Sequence, residues 1–285
     1  MAIDRDALLA TVVEDEPCSY TETDTILYAL GVGFAADSVD SDQLPYVYDG
    51  TPMRTVPTMA NRMLSSTFLR ECGWDARQLA HVEERLELYR PLPPAAEMLA
   101  NRRVRAVDDL GAEIGARIEI EAELRLARDD TVLFNCSRTI IARNDGGFSG
   151  NAITREPPPD KLPGREADLY CDIQTAPNQA LLFRLIDSRH PVHVDRRSAQ
   201  AAGFDNPVLH GRCTLGIACH AVLRTICDYD FTLISGFSAR FTEPVFPGDT
   251  IRIEMWQDRD IVSFRALVPG RGVTVLDNGR CSLAT

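Results

Sequence analysis

Three of the five histidines of this 285-residue chain, His190, His193 and His210, fall in one segment, FRLIDSRHPVHVDRRSAQAAGFDNPVLHG, residues 183–211. Imidazole titrates near neutral pH, which suits it to general acid–base work. A lone histidine is more often a hydrogen-bonded structural residue, and it is the clustering beside a helix start that raises the functional reading. Gly211 opens the small-residue, apolar run GRCTLGIACHAVL. In the first turn of a helix its N–H is unsatisfied and lies at the positive end of the dipole. Such a donor can stabilise an oxygen that gains charge, as the carbonyl of an enoyl thioester does during addition. The plainer reading is that Gly211 lets the chain and helix pack closely, and the two are compatible. A metal site is the competing chemistry, with His190, His193 and Asp195 as ligands and His210 as a fourth. H-P-V-H lacks the helical H-x-x-x-H spacing, and the cysteines add no partner motif, so no metal is expected.

The elements that must position these residues fall into two halves, separated by the proline-rich stretch at 151–168, NAITREPPPDKLPGREAD. Three consecutive prolines and a further Pro-Gly cannot continue a helix or a central strand. In the first half, Thr21 and Asp24 form a T-x-x-D capping box ahead of Ile26, Leu27 and Leu30, so a helix is expected to stop near Gly31 or Gly33. A second helix is expected in TMANRMLSSTFL after Pro57, followed by strands at 86–89, 103–108, 114–126 and 131–142 and a tight turn at NDGGFSG. ARIEIEAELRLAR alternates apolar and charged residues as a half-solvated strand does. GVGFAA follows a helix and lacks the third glycine of a dinucleotide fingerprint, which argues against a nucleotide loop. The second half repeats the order, with a helix at 213–227 and strands at 231–241, 250–256 and 261–268, Pro247-Gly248 forming a type II turn. The expected class is α+β: a helix wrapped by a curved antiparallel sheet, made twice.

A formal charge of −12 argues against nucleic acid or an anionic membrane as the main partner. Lys161 is the only lysine and sits in the linker, which disfavours Schiff-base and pyridoxal-phosphate chemistry. The eight cysteines show no C-x-x-C spacing and read as reduced thiols. The charged start, the absence of a long apolar run and the terminal SLAT make a cytoplasmic location the default expectation.

The motif itself resembles the signature of the hydratase 2, or MaoC-like (R)-specific enoyl-CoA hydratase, family. That signature runs approximately Y-R-L-S-G-D-x-N-P-L-H-x-D, then G-F-x-x-P-x-L-H-G-L-C-T-x-G-x-A. Here it is matched by Phe183-Arg184-Leu185-Ile186-Asp187-Ser188-Arg189-His190-Pro191-Val192-His193-Val194-Asp195 and by Gly203-Phe204 through Ala218. YTETDTILYALGVG, LPYVYDG, EERLELYRPLPP, GGFSG and FTEPVFPGDTI are similar to further family segments. The resemblance implies a double hotdog. Residues 1–150 would form an N-terminal hotdog that accommodates the acyl chain, and 169–285 a C-terminal hotdog that carries the chemistry. It also implies hydration of a 2-enoyl-CoA, or the reverse dehydration, with R stereochemistry. Steroid-like side chains are among the bulky groups that two hotdogs leave room for. His193 falls on the catalytic histidine and Gly211 on the glycine that binds the thioester oxygen. Ser188 stands where the family has its aspartate, and His190 where it has asparagine.

Serine can orient a water but is no base near pH 7, and losing one positioned acid–base partner costs ~10²–10⁴ in rate. Asp187 replaces the aspartate if the loop bulges by one residue, or His190 serves as second proton carrier, or the chain binds acyl-CoA without turning it over. A local turn cap or a surface acid is the plainer reading of Asp187. A thioesterase is a further alternative on the same fold. Arg184, Arg196, Arg197 and Arg212 are the candidates to clamp coenzyme A phosphates. No organic cofactor is expected. Hotdog sheets pair side by side, which leaves a homodimer open, although two hotdogs in one chain already satisfy one such pairing.

Overall fold

Each half of the chain sets a helix against five antiparallel strands. The computed structural model describes residues 4–37, 40–64, 79–143, 145–149 and 161–284. The first half contains α1 (Arg5–Leu9), β1 (Val12–Tyr20), α2 (Glu22–Gly31), α3 (Leu44–Val47), β2 (Leu79–Leu88), β3 (Ala96–Asp109), β4 (Ala116–Leu126) and β5 (Val132–Ala142). The second contains β6 (Leu169–Gln174), α4 (Gln179–Phe183), α5 (Arg196–Ala201), α6 (Gly211–Thr225), β7 (Ile234–Phe241), β8 (Thr250–Asp258), β9 (Ile261–Val268) and β10 (Val273–Leu283).

All ten strands form one sheet, in the order β1-β3-β4-β5-β2-β7-β10-β9-β8-β6. Counted within its own half, each set runs first-third-fourth-fifth-second, so the halves share one topology and meet at their second strands. The seam is an antiparallel β2–β7 ladder from Glu83↔Arg240 to Glu87↔Gly236. In β4 the alternate residues Ile118, Ile120, Ala122 and Leu124 are buried, as the apolar–charged alternation requires. The Thr21–Asp24 capping box forms, with the Asp24 N–H donating to Thr21 Oγ1 at 3.2 Å and the Thr21 N–H to Asp24 Oδ2 at 2.9 Å. Gly248 has φ +98° and the Asp249 N–H donates to the Phe246 carbonyl at 3.0 Å, the type II geometry expected of Pro247-Gly248.

The two helices meet in the core, where every residue of α6 from Cys213 to Leu223 is buried. The carbonyls that end α2 have no partners within their own helix, and side chains of the second half supply them. Gln179 Nε2 donates to the Gly31 carbonyl at 2.6 Å, and Cys213 Sγ lies 3.2 Å from it. His220 Nδ1 lies 3.3 Å from the Val32 carbonyl, and its ring stacks on Phe34 at 3.8 Å between centroids. These contacts make His220 a structural residue of the helix–helix joint.

Some expectations need correction. Pro57–Met63 is a 3₁₀ turn and not the start of a regular helix, while the rest of TMANRMLSSTFL beyond Leu64, like Cys72, lies outside the described residues. Of the linker, only residues 161–168 are described. Strands β1, β6 and β10 were not anticipated. In β1 the register shifts between Val13 and Glu16, with Asp15 at φ +53°, and in β10 it shifts between Asp277 and Arg280, with Asn278 at φ +52°. A bulge breaks the period-2 pattern by which a strand is recognised. Strand β6 has only six residues. The seven described cysteines are all free thiols. Among the described residues no helix is long and apolar enough to cross a membrane.

Gly216 marks where α6 presses on α2: a Cβ there would lie 2.4 Å from Val32 Cγ1 and 2.9 Å from Tyr28 Oη. At an open helical site glycine-to-alanine gains ~1 kcal/mol of helix propensity. Here overpacking of ~1–3 kcal/mol opposes it. Gly216→Ala is therefore expected to lower the melting temperature, and a rise on thermal denaturation would show that the helices do not pack this closely.

Candidate active site

The segment that follows α4 is short of apolar residues and crosses the surface before α5 begins. Pro191 fixes the first residue of a single 3₁₀ turn, Pro191–His193, and His190 caps it, its Nδ1 accepting the Val192 N–H at 3.3 Å. Asp195 caps α5 by accepting the Ser198 N–H at 2.8 Å, which gives the aspartate of the metal reading a local structural task.

This turn sets His193 against the start of α6. His193 Nδ1 lies 2.9 Å from the Val208 carbonyl oxygen, which can only accept, so Nδ1 carries the proton and the neutral ring keeps its lone pair at Nε2. The ring stacks on that of His210, with centroids 3.6 Å apart and planes 21° from parallel. His210 is the N-cap of α6, and Gly211 is its first helical residue. A Cβ on Gly211 would lie 3.1 Å from Phe241 Cε1, so close packing against an aromatic ring is one reason for glycine here. Its place in the first helical turn leaves its N–H without an intrahelical acceptor. The structure thus brings together a neutral imidazole and a helix start.

Ser188 and His190 occupy the exposed side of the same arch. The Ser188 carbonyl accepts from His210 Nε2 at 2.9 Å, and Ser188 Oγ accepts the His190 N–H at 3.2 Å. The His190 and His193 rings are 6.4 Å apart and nearly perpendicular. Asp187 turns away from this group. Its Oδ1 accepts the Ser188 N–H at 2.8 Å and Arg212 Nη1 at 2.8 Å, which places it in a buried ion cluster with Glu84 of β2. Neither a surface acid nor a turn cap alone describes it. The phosphate expectation is corrected for Arg212, whose Nε, Nη1 and Nη2 all bond to the protein, at Glu84, Asp187 and the Leu64 carbonyl. Arg184 is half-buried with Nε unpartnered among the described residues, and Arg196 and Arg197 are exposed on the first turn of α5. The reading of the motif grouped His210 with the other two histidines but missed that its ring stacks on His193. It also missed Glu84, which lies about a hundred residues upstream in a strand with no chemical signal of its own.

Burial governs the protonation of the site. It pushes the His193 pKa down to about 4, helped by His190 and opposed by the Val208 carbonyl. Burial, then His193, pushes His210 down to about 3 against the Ser188 carbonyl. Burial and the Glu84 carboxylate push Asp187 up to about 7, against the Ser188 N–H and Arg62. His220 is lowered to about 4, again chiefly by burial. These three histidines are neutral in the folded chain at pH values where, with an ordinary pKa of 6.5, the unfolded chain protonates them. Their contribution to stability is complete above that value and is lost as pH falls toward about 4. Asp187 acts in the opposite sense, holding a proton in the folded state between its ordinary 3.8 and about 7. Three groups outweigh one, so the melting temperature is expected to fall from pH 6.5 to 4.5. The slope should be shallower in His220→Gln, and the same slope in that variant would contradict the assignment.

Comparison with known proteins places the fold. A family model described as MFE-2 hydratase 2 N-terminal domain matches residues 18–144, and one described as MaoC like domain matches residues 160–276. The chain is 34% identical over 289 residues to Enoyl-CoA hydratase ChsH3 of Mycobacterium tuberculosis, covering 98% of each protein. The structure of full-length peroxisomal multifunctional enzyme type 2 from Drosophila melanogaster matches it with a TM-score of 0.83 and 28% identity, over 96% of this chain and 48% of that one. A further Mycobacterium tuberculosis protein, described as having a double hotdog fold, shares the architecture with a TM-score of 0.57 at 15% identity, over 95% of this chain and 94% of that one. A helix-and-sheet unit made twice in a single sheet thus has its counterpart in the double hotdog architecture, and the chain belongs to the MaoC-like, hydratase 2 family of double hotdog proteins.

Proposed function

We propose that this chain adds water across the double bond of a 2-enoyl-CoA, giving a 3-hydroxyacyl-CoA, and catalyses the reverse dehydration. The observation that carries the proposal is His193, neutral and with a free Nε2 lone pair, stacked on the residue that caps the helix beginning at Gly211. The relative named an enoyl-CoA hydratase and the family models support the same reaction class.

In this mechanism the thioester oxygen accepts the Gly211 N–H at the positive end of α6, and Ser188 Oγ and His190 hold a water facing His193. His193 Nε2 takes a proton from the water as its oxygen bonds to C3 of the substrate. The C2–C3 π electrons move toward the thioester oxygen, where the Gly211 N–H stabilises the enolate. The imidazolium then returns the proton to C2. One group performs both transfers, so the proton balance closes without a carboxylate. Asp187 is held by Arg212 and the Ser188 N–H and takes no part in the transfer. The reaction draws on no organic cofactor or metal, coenzyme A being part of the substrate. In this reading the first half of the chain accommodates the acyl group, and Arg184, Arg196 and Arg197 remain the candidates to meet the phosphates of coenzyme A, Arg196 and Arg197 being exposed on α5.

The test is the loss of enoyl-thioester absorbance on mixing the chain with short, medium and bulky 2-enoyl-CoAs. His193→Ala is expected to lower kcat/KM by ~10²–10⁴, the usual cost of a positioned acid–base group. Ser188→Asp, which puts a carboxylate beside the water, should raise kcat. Thioester binding without turnover in the wild type would instead mark a binding protein built on the same site, and release of free thiol would mark a thioesterase.

A further inference from the structure

Beneath the arch that carries Ser188 lies a buried cluster of charges contributed by both halves of the chain. Glu84 of β2 is 1% exposed, and its Oε1 accepts Arg138 Nε of β5 at 3.1 Å and Arg212 Nε of α6 at 2.8 Å. His81 Nε2 lies 3.3 Å from the same oxygen. Arg138 Nη2 and Arg212 Nη2 both donate to the Leu64 carbonyl, each at 3.1 Å. Arg212 then reaches Asp187 with its remaining nitrogen. Burial opposes charge on Glu84, yet Arg212 and His81 hold its carboxyl below the usual carboxylate range.

The ends of this chain of contacts touch the proposed chemistry on two sides. Arg212 is the residue after Gly211, the proposed oxyanion donor. Asp187 is the residue before Ser188 and accepts its N–H, while the Ser188 carbonyl accepts the hydrogen bond of His210 Nε2, and His193 stacks on the His210 ring. Arg62, from the 57–63 turn, adds a second tie from the first half to the arch through the Ile186 carbonyl. A buried guanidinium that loses its carboxylate must find a new arrangement, because an uncompensated charge in the interior is costly. Among the described residues Asp187 is then the carboxylate left in contact with the two guanidiniums, through Arg212, so the Asp187–Arg212 contact beneath the arch takes up the charge that Glu84 balanced and must readjust.

We infer that Glu84 is a positioning residue: acting through Arg212 and Asp187, it fixes the Ser188 arch and the start of α6 from the opposite half of the chain. The inference rests on the proposed hydratase reading for its kinetic consequence but not for its structural one, and the two are tested separately. Histidine-labelled protein is compared by NMR with Glu84→Gln, and 2-enoyl-CoA hydration is measured in parallel. The ring resonances of His193 and His210 are expected to move in Glu84→Gln, while those of His220, which belongs to the helix–helix joint, stay in place. In the kinetic arm kcat is expected to fall by ~10²-fold, the cost of misplacing reacting groups by about 1 Å, with KM changed less than about threefold. Because the two residues act along one path, Glu84→Gln combined with Asp187→Asn should lose no more than the worse single variant. Unmoved His193 and His210 resonances overturn the inference whether or not the wild type turns over. Moved resonances in a wild type that lacks turnover leave the positioning role standing and sink the hydratase reading instead. Additive losses in kcat would also overturn the shared path. Should Glu84→Gln not fold, Glu84→Asp keeps the charge but shortens its reach by one methylene, and it is read by the same resonances.

Discussion

Keeping two imidazoles neutral inside the protein is the condition on which the site depends. A protonated ring here would sit in a dry surrounding, and protonating the second ring, 3.6 Å away, would add a like charge. The fold meets the condition by giving each ring one carbonyl acceptor, Val208 for His193 and Ser188 for His210, and by burying His210 fully and His193 in part. Each acceptor selects one tautomer, and in His193 that choice leaves Nε2 free to take a proton. The same burial makes the imidazolium of His193 a strong acid once formed, which favours return of the proton to carbon.

The second constraint is that neither half is complete alone. The β2–β7 ladder joins the two sheets, α2 ends on side chains of the second half, and Gly216 lets the two helices touch. Several polar groups at this joint find their partners across it. The carbonyls closing α2 meet Gln179, Cys213 and His220, and the Glu84 carboxylate meets Arg212. A buried polar group left unpaired costs more than its hydrogen bond contributes, so these contacts hold the halves in one relative placement. The arch between α4 and α5 rests on that joint.

Much of the fold was legible because its signals are local. The Thr21–Asp24 box, the alternation in β4, the apolar, small-residue run of α6 and the Pro247-Gly248 turn each declare an element within a few residues. Strands β1 and β10 were hidden by bulges at Asp15 and Asn278, which shift the pattern to the other face midway. At the site, His193, Ser188 and Gly211 were legible from the motif, but the direction in which neighbouring side chains point was not. Arg212 reads as a surface cation beside a motif, and only the folded chain shows Glu84 and Asp187 on either side of it. Non-local ion pairs leave no periodicity in a sequence, so the support beneath the arch becomes visible only when the strands are paired.

The most direct test of the central claim follows the oxygen of water. The chain would be mixed with a 2-enoyl-CoA in water labelled with oxygen-18, and the products resolved by mass spectrometry. Activation of water by His193 beside the Gly211 N–H predicts an intact coenzyme A thioester carrying the label on its C3 hydroxyl. Label in a free carboxylate, with coenzyme A released, would contradict the account and place the attack at the thioester carbonyl.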